Sequence, residues 1–141
     1  MTTESGRAGW TTAAVLIGRS IFVAAFIMAV GFELSDIDGT AAYIAAAGFP
    51  APRLLAWLAA LPELALIVCF LTGAYFSEAA LTAALYVIFL AFAFHGPSHW
   101  AGNQAEFGVF INHFIFLAGL LFAAGHGPGR LLSLKWSVIK R

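Results

Sequence analysis

Apolar and polar stretches alternate along the chain on the scale of whole helices. Four segments are almost wholly apolar, and each reaches the roughly 17 residues or more that a membrane-crossing helix requires. The stretches between them are short and contain glycine, proline, aspartate or histidine, residues that favour turns and loops. The pattern therefore predicts four transmembrane helices, at residues 11–34, 52–72, 78–94 and 107–124.

A further helix, too short to cross the bilayer, is predicted between the first two spans. Residues Thr40 to Ala47 are alanine-rich and are followed by Gly48-Phe49-Pro50, which stops a helix. A spanning helix needs about 20 apolar residues, far more than this segment has. It is therefore expected to lie at the membrane interface or to fold back against the bundle.

The two ends of the chain are predicted to lie outside the spans. Residues 1–10 are polar and are expected to form a flexible head, which leaves 11–129 as the membrane domain. Residues 130–141 alternate basic with apolar side chains, a pattern typical of an amphipathic tail on a membrane surface. The residues expected to anchor this tail among the headgroups are Arg130, Lys135, Trp136, Lys140 and Arg141.

The distribution of basic residues predicts the orientation. Arg7 precedes the first span and the basic tail follows the last, whereas the segment from Glu33 to Arg53, around the loop between the first two spans, has three acidic residues and Arg53 as its one basic residue. The loop between spans three and four has no lysine or arginine. Because basic residues accumulate on the cytoplasmic side, both termini are expected in the cytoplasm. The predicted fold is an all-α, up-and-down bundle of four transmembrane helices.

Composition supports a membrane protein and excludes a nucleic-acid-binding one. Hydrophobic residues make up 62% of the chain and charged residues 10%, against about 25% charged in an ordinary soluble domain. The formal net charge is +0, whereas nucleic-acid binding calls for a basic surface. Cys69 is the single cysteine, so no disulfide or paired-cysteine redox motif forms within the chain. The lipid bilayer is the partner that this composition implies.

Two charged residues lie deep inside predicted spans, more than one helical turn from either end, where charge is costly and often functional. Arg19 lies in the first span and Glu63 in the second. The two helices are antiparallel, so the residues are predicted to form a buried pair that resolves both penalties. Two roles are open for this pair. It fixes the register of the helices, or it lines a polar pocket for a proton or a quinone headgroup.

The second candidate cluster is rich in histidine and lies near the ends of spans three and four. Imidazole nitrogens bind metals and haem and also hydrogen-bond to quinones. Three interpretations of this cluster are open. The histidines hydrogen-bond to water or backbone at the membrane interface, or they line a quinone or substrate pocket, or they form a metal or haem site that uses His95, His99 and His113. Gly96-Pro97 separates the first two histidines and argues against a helical metal pair. The pocket candidates are His95, His99, His113, Asn112 and Glu106.

A series of short motifs resembles the DoxX family of small four-helix membrane proteins, over almost the whole chain from Arg19 to Lys135. The closing glycine-proline-glycine and serine-leucine pair is the most specific. Two departures are Glu33 and Lys135, where family members often carry lysine and aspartate. The matching residues are Arg19, Phe26, Gly31, Tyr43, Gly48-Phe49-Pro50, Glu63, Gly73, His95, Asn112, Gly119, Gly127-Pro128-Gly129 and Ser133-Leu134.

The resemblance implies an association with quinone-linked redox chemistry in the bacterial cytoplasmic membrane. On this hypothesis the chain is a subunit of a membrane oxidoreductase, not catalytic alone, that serves as an anchor and lines a quinone pocket. Its partners would be other membrane or periplasmic redox proteins, and a homo-oligomer is left open. Quinone is the favoured cofactor over haem or a metal. The alternatives are a structural or assembly protein without chemistry of its own, and a small oligomeric transporter.

Overall fold

The computed structural model describes residues 2–134 and 136–139, and for residues 2–8 it describes the backbone alone. The described chain consists of five α-helices and one short 3-10 turn, Pro97–His99. The α-helices are α1 (Thr2–Ser35), α2 (Ile37–Ala46), α3 (Pro52–Thr72), α4 (Phe76–His95) and α5 (Gln104–His126).

The predicted four-span bundle is confirmed. In the described part of the chain, α1, α3, α4 and α5 each contain a window long and apolar enough to cross a membrane. The connections are short, so successive spans run up and down. Helix α1 packs along α3, α4 packs along α5, and α3 contacts α4. Two ends of the bundle are distinguished below. The "α2 end" carries α2 and the 3-10 turn, and the "tail end" carries the α3–α4 turn and the chain after α5.

Small side chains allow the helices to approach closely at the centre of the bundle. Helix α4 turns an alanine-rich stripe inward, and Ala80, Ala83 and Ala91 on it are fully buried. Phe70 and Leu120 are the largest fully buried side chains among those described. Many large apolar residues, by contrast, face outward along every span, as expected where lipid rather than water is the solvent.

Two predicted boundaries differ from the structure. Helix α1 begins at Thr2, so the polar segment expected to be a flexible head continues the helix from that residue on. A helix propagates once it is formed, and no proline interrupts residues 2–10. Helix α4 begins at Phe76, because Gly73 and Tyr75 both adopt positive φ and close the preceding turn within three residues.

The short helix α2 folds back against the bundle, one of the two placements expected for it. Ala41 and Ile44 are buried against Ala56 of α3, and Phe49 and Phe94 complete this second apolar cluster. Asp36 caps the N-terminus of α2 by accepting a hydrogen bond from the Gly39 backbone N–H at 2.9 Å. The packed α2 forms one wall of the cavity described below.

The chain after α5 crosses the tail end of the bundle instead of continuing as a helix. The Leu134 N–H donates to the Thr72 carbonyl at 2.9 Å, and the Tyr75 N–H donates to the Trp136 carbonyl at 2.7 Å. Arg130 and Trp136 are exposed there. Their role as membrane anchors stays a prediction, and Lys135, Lys140 and Arg141 lie outside the described residues.

Candidate functional site

Arg19 is buried at the tail end, with 5% of its surface exposed, and its described hydrogen bonds all go to backbone carbonyls. Its guanidinium also lies over the Phe76 ring, 5.7 Å from the ring centroid. Its guanidinium has five N–H donors, and all five are used. Nε donates to the Phe70 carbonyl at 3.0 Å, and four further bonds of 2.9 Å complete the set. The acceptors of those four are the carbonyls of Leu71, Pro128, Leu131 and Leu132. Arg19 therefore joins the end of α3 to the chain that follows α5.

The predicted pair between Arg19 and Glu63 is wrong. Arg19 lies level with Phe70, which is seven residues beyond Glu63 along α3, an axial rise of about 10 Å. The last four carbonyls of a helix lack intrahelical donors, so the end of α3 offers acceptors that satisfy the cation without an acid. The opposite charges of Arg19 and Glu63 in antiparallel spans suggested a pair. In the structure, Arg19 instead donates to backbone carbonyls at the end of α3 and in the chain after α5.

A cavity of about 380 Å³ opens at the α2 end, within the size range of small-molecule pockets. All five helices contribute to it. Its walls are mainly aliphatic and aromatic, with Phe49, Phe89 and Phe94 among them. The polar residues that line it are Glu33, Thr40, Tyr43, Tyr86, His95 and His113. A largely apolar pocket with a few convergent polar groups is the usual form of a ligand site.

Two of the predicted histidines meet at this cavity. The ring centroids of His95 and His113 are 5.2 Å apart. Nδ1 of His95 lies 2.7 Å from Oε2 of Glu106, and Nδ1 of His113 donates to the Val109 carbonyl at 2.8 Å. These contacts fix both rings and use Nδ1 in each. Within the described part of the chain, neither Nε2 has a hydrogen-bond partner, so both nitrogens remain for a ligand.

The other two predicted members of the cluster do not join it. His99 is exposed, and its ring contacts only the neighbouring Ser98 hydroxyl, because Gly96 and Pro97 end α4 and turn the chain away. Asn112 is exposed on the outer face of α5, since adjacent helical residues point about 100° apart and His113 takes the inward direction. Glu106 acts on the cavity through His95 and does not line it.

The three histidines named as metal-ligand candidates do not come together as one cluster. Among the described residues, no group of three or more histidine, cysteine, aspartate or glutamate side chains has a metal-binding arrangement. Only His95 and His113 lie close together. His126 lies at the opposite end of α5, where its ring contacts the Gly127 carbonyl.

Tyr43 of α2 forms the outer wall of the cavity. Its ring stacks on Phe94 with centroids 5.1 Å apart and planes inclined by 14°. Burial raises the pKa of its hydroxyl, and the nearby charge of Glu106 raises that pKa further. Tyr43 thus presents a neutral hydroxyl beside the histidines. Its helix was predicted, but its place in the site was not.

Sequence reasoning also missed Glu33 and Tyr86 as members of the site. Glu33 lines the cavity from the last turns of α1, and its Oε2 is buried without a hydrogen-bond partner. Tyr86 lines it from α4 and interacts with Glu63 of α3. The available signal was Tyr86 itself, a polar side chain in the middle of an apolar span.

Comparison with known proteins identifies the family. The model of the DoxX family matches residues 14–96, which is more than half of the chain and runs from α1 to the end of α4. No curated protein and no solved structure matches the chain. The matched region contains Glu33, Tyr86 and His95, whereas Glu106 and His113 lie beyond it. The chain therefore belongs to the DoxX family, a family of small integral membrane proteins.

Proposed function

From membership of the DoxX family, we propose that this chain is a membrane subunit of a quinone-linked oxidoreductase whose cavity holds the quinone headgroup. The observation that carries the proposal is the cavity at the α2 end. Its aromatic walls enclose two imidazoles, His95 and His113, whose Nε2 atoms have no partner among the described residues. An anchor without a ligand has no use for such a pair.

The chemistry of a quinone suits these walls. A flat, apolar ring stacks well on Phe49, Phe89 or Phe94, and the isoprenoid tail extends into lipid. Leu58 and Phe89 line the cavity and are also half-exposed on the outside of the bundle, so a ligand reaches the cavity from the bilayer. Because Nδ1 donates in both rings, Nε2 of a neutral imidazole accepts a hydrogen bond from the hydroxyl of a quinol, whereas a protonated imidazole donates to the carbonyl oxygen of a quinone.

Glu106 supports this recognition by positioning His95. Its carboxylate accepts a hydrogen bond from Nδ1–H, which holds the ring in one orientation and leaves Nε2 for other partners. The Trp100 indole N–H donates to the His95 carbonyl at 2.8 Å and fixes the end of α4 beneath the ring. Both contacts pre-organise the pocket before a ligand arrives.

The orientation of the subunit follows from the positive-inside rule. Basic residues flank the tail end, which we place on the cytoplasmic side of a bacterial inner membrane. The α2 end, with the cavity near it, then faces the periplasm. Electrons would reach a quinone at this depth from a membrane or periplasmic partner, because the chain has no redox-active motif of its own.

The test is the quinone content and affinity of the purified chain in lipid nanodiscs. We expect extractable quinone, and binding of a short-tailed ubiquinol analogue, whose hydroxyl donates to Nε2 of a neutral His113. His113→Leu should weaken binding about tenfold, the equivalent of one hydrogen bond of about 1.4 kcal/mol. Asn112→Leu is the matched control, since this neighbour faces outward. A chain that retains no quinone, or equal affinities in both variants, would refute the pocket.

One observation favours the assembly-protein alternative. Among the four spans, α5 is the least covered by the rest of the described chain, with 11% of its most apolar window buried, against 39% for the span that contains α4. An uncovered helix of this kind suits packing against another membrane protein. This hypothesis expects a larger complex to co-purify and to keep its activity in His113→Leu, while deletion of the chain abolishes that activity.

A further inference from the structure

We propose that Glu63, Tyr86 and Glu33 form a proton-exchange site on the wall of the cavity, in which Glu63 is a neutral carboxylic acid connected to the ligand by Tyr86. The proposal rests on the proposed function in one respect, because it names the source of a proton for the quinone in the same cavity. The acid and its connection to the cavity are properties of the chain itself and are testable without a quinone.

The first step is the burial of Glu63. Only 2% of its surface is exposed, and its Oε2 is buried without a hydrogen-bond partner in the described chain. The titratable groups that act on it are Glu33 from α1 and Tyr86 from α4, and the described residues of α2 and α5 add none. Arg19, the cation in the same bundle, is committed to carbonyls about 10 Å farther along the helix axis.

A carboxylate in this position would be poorly supported. An ionised acid in a low-dielectric interior costs several kcal/mol unless a cation or several donors compensate for it. Among the described residues no cation faces Glu63 and Tyr86 is the phenol that interacts with it, while the nearby Glu33 disfavours a second negative charge. The neutral acid is therefore the form of Glu63 that this surrounding supports, and it carries a transferable proton.

The second step is the connection through Tyr86. Glu63 does not line the cavity, whereas Tyr86 lines it and interacts with Glu63 behind it. A phenol both donates and accepts a hydrogen bond, so it passes a proton on one side as it takes one up on the other. Tyr86 is thus the group through which Glu63 communicates with a ligand in the cavity.

The third step is the return of the proton through Glu33. Its side chain lines the cavity and is partly exposed, and it lies two residues before the end of α1. Its Oε2 is buried without a partner, and it acts on both Tyr86 and Glu63. Glu33 therefore stands between the buried pair and the water at the α2 end, where it recovers a proton after transfer.

The transfer is balanced in atoms and charge. The Tyr86 O–H bond breaks as a new O–H bond forms on an oxygen of the reduced quinone, and Tyr86 takes the proton of Glu63 in the same event. The net change is one proton lost by Glu63 and one gained by the ligand, with Tyr86 unchanged. No electron passes through these residues, since the two electrons come from the partner oxidoreductase.

Infrared spectroscopy of the full-length chain in nanodiscs tests this assignment. In ligand-free protein we expect a carboxylic-acid C=O band that shifts in D₂O and is lost in Glu63→Gln. Asp38→Asn is the matched control, because it changes an exposed acid outside the spans. Tyr86→Phe keeps the ring and removes the hydroxyl, and it should slow the hydrogen–deuterium exchange of the band about a hundredfold.

Two results would overturn the proposal. One is the absence of any acid band that Glu63→Gln removes, which would show that Glu63 is ionised. The other is equal exchange in the original chain and in Tyr86→Phe, which would show that the proton does not pass through Tyr86. A chain that shows the band and its Tyr86-dependent exchange but binds no quinone would support the proton site and refute the quinone pocket alone.

Discussion

Replacement of Arg19 by leucine should loosen the tail end of the bundle. The substitution removes five hydrogen bonds from a charged donor and leaves their carbonyl acceptors without it. The bond to Phe70 is buried and is worth about 2 kcal/mol. The other four are partly exposed, where water replaces part of the loss, and we assign each about 0.5–1 kcal/mol. The free energy of unfolding should therefore fall by about 4–6 kcal/mol.

The variant Arg19→Lys tests whether the positive charge of Arg19 or its hydrogen-bonding geometry stabilises the bundle. Lysine keeps the positive charge near the carbonyl end of α3, which favours the helix dipole. It has three donors and no planar fork, so at least two of the five bonds are lost. We expect a decrease of about 2–3 kcal/mol, near half of the leucine effect. An equal decrease in both variants would show that the fork, and not the charge, provides the stabilisation.

The assay has two parts. Unfolding in mixed micelles with increasing SDS gives the free energy of unfolding of each variant. Trypsin cleavage after Arg130, followed by mass spectrometry, reports release of the segment that Arg19 holds. The control is Arg53→Leu, because Arg53 is exposed and its 3.6 Å contact with Asp38 should contribute under about 1 kcal/mol. Arg19→Leu with the stability and trypsin resistance of the original chain would refute the reasoning.

Two further predictions concern the opposite ends of the bundle. Gly73→Ala should cost about 2 kcal/mol, since Gly73 has φ +72° and an added Cβ would lie 3.0 Å from the Ser133 Cα. Gly31→Ala, with no atom within 4 Å, should leave the SDS midpoint unchanged or slightly higher. At the α2 end, the raised pKa of Tyr43 should place its tyrosinate transition above pH 10, and Glu106→Gln should lower it. Stability from the neutral hydroxyl is complete below the unfolded pKa of about 10 and is lost as pH rises from there toward the folded pKa. Absorbance titration against Tyr43→Phe measures the transition, and a midpoint at the free-tyrosine value would contradict the burial argument.

The positions of the transmembrane helices could be predicted from the sequence, because the bilayer imposes a simple requirement on it. Burial in lipid requires long apolar runs, and α3 begins and ends at the residues that the pattern indicated, Pro52 and Thr72. The start of α1 was not predictable in the same way, because polar residues beyond the membrane still propagate a helix. The hydropathy pattern identifies the part of a helix that lies in lipid. It does not show how far the helix extends into water.

The candidate site was predicted only in part. His95 and His113 meet as expected, because they lie near the same ends of neighbouring spans. The partners of Arg19 were not predicted because every residue has a backbone carbonyl, and the sequence does not show which carbonyls are free to accept. A search for opposite charges therefore selected Glu63 instead. Tyr86 was missed because its importance depends on which face of α4 turns toward Glu63, which only packing decides.

The buried carboxyl groups at the two ends of the bundle are satisfied to different degrees, and this difference argues for a ligand. At the tail end, the one described buried cation is fully satisfied by the chain itself. Glu78 at the same end has one buried oxygen without a partner among the described residues, but its other oxygen accepts three hydrogen bonds from residues 137–139. Glu33 on the cavity wall and Glu63 behind Tyr86 also keep a buried oxygen without a described partner, and no such set of donors compensates for it. The deficit is about 1–3 kcal/mol for each group. Apolar residues at both positions would make a more stable anchor, since native stability is only about 5–15 kcal/mol in total. Protonation of the two acids and a bound ligand would offset that cost in free energy. A bundle that serves only as an anchor has no need of either.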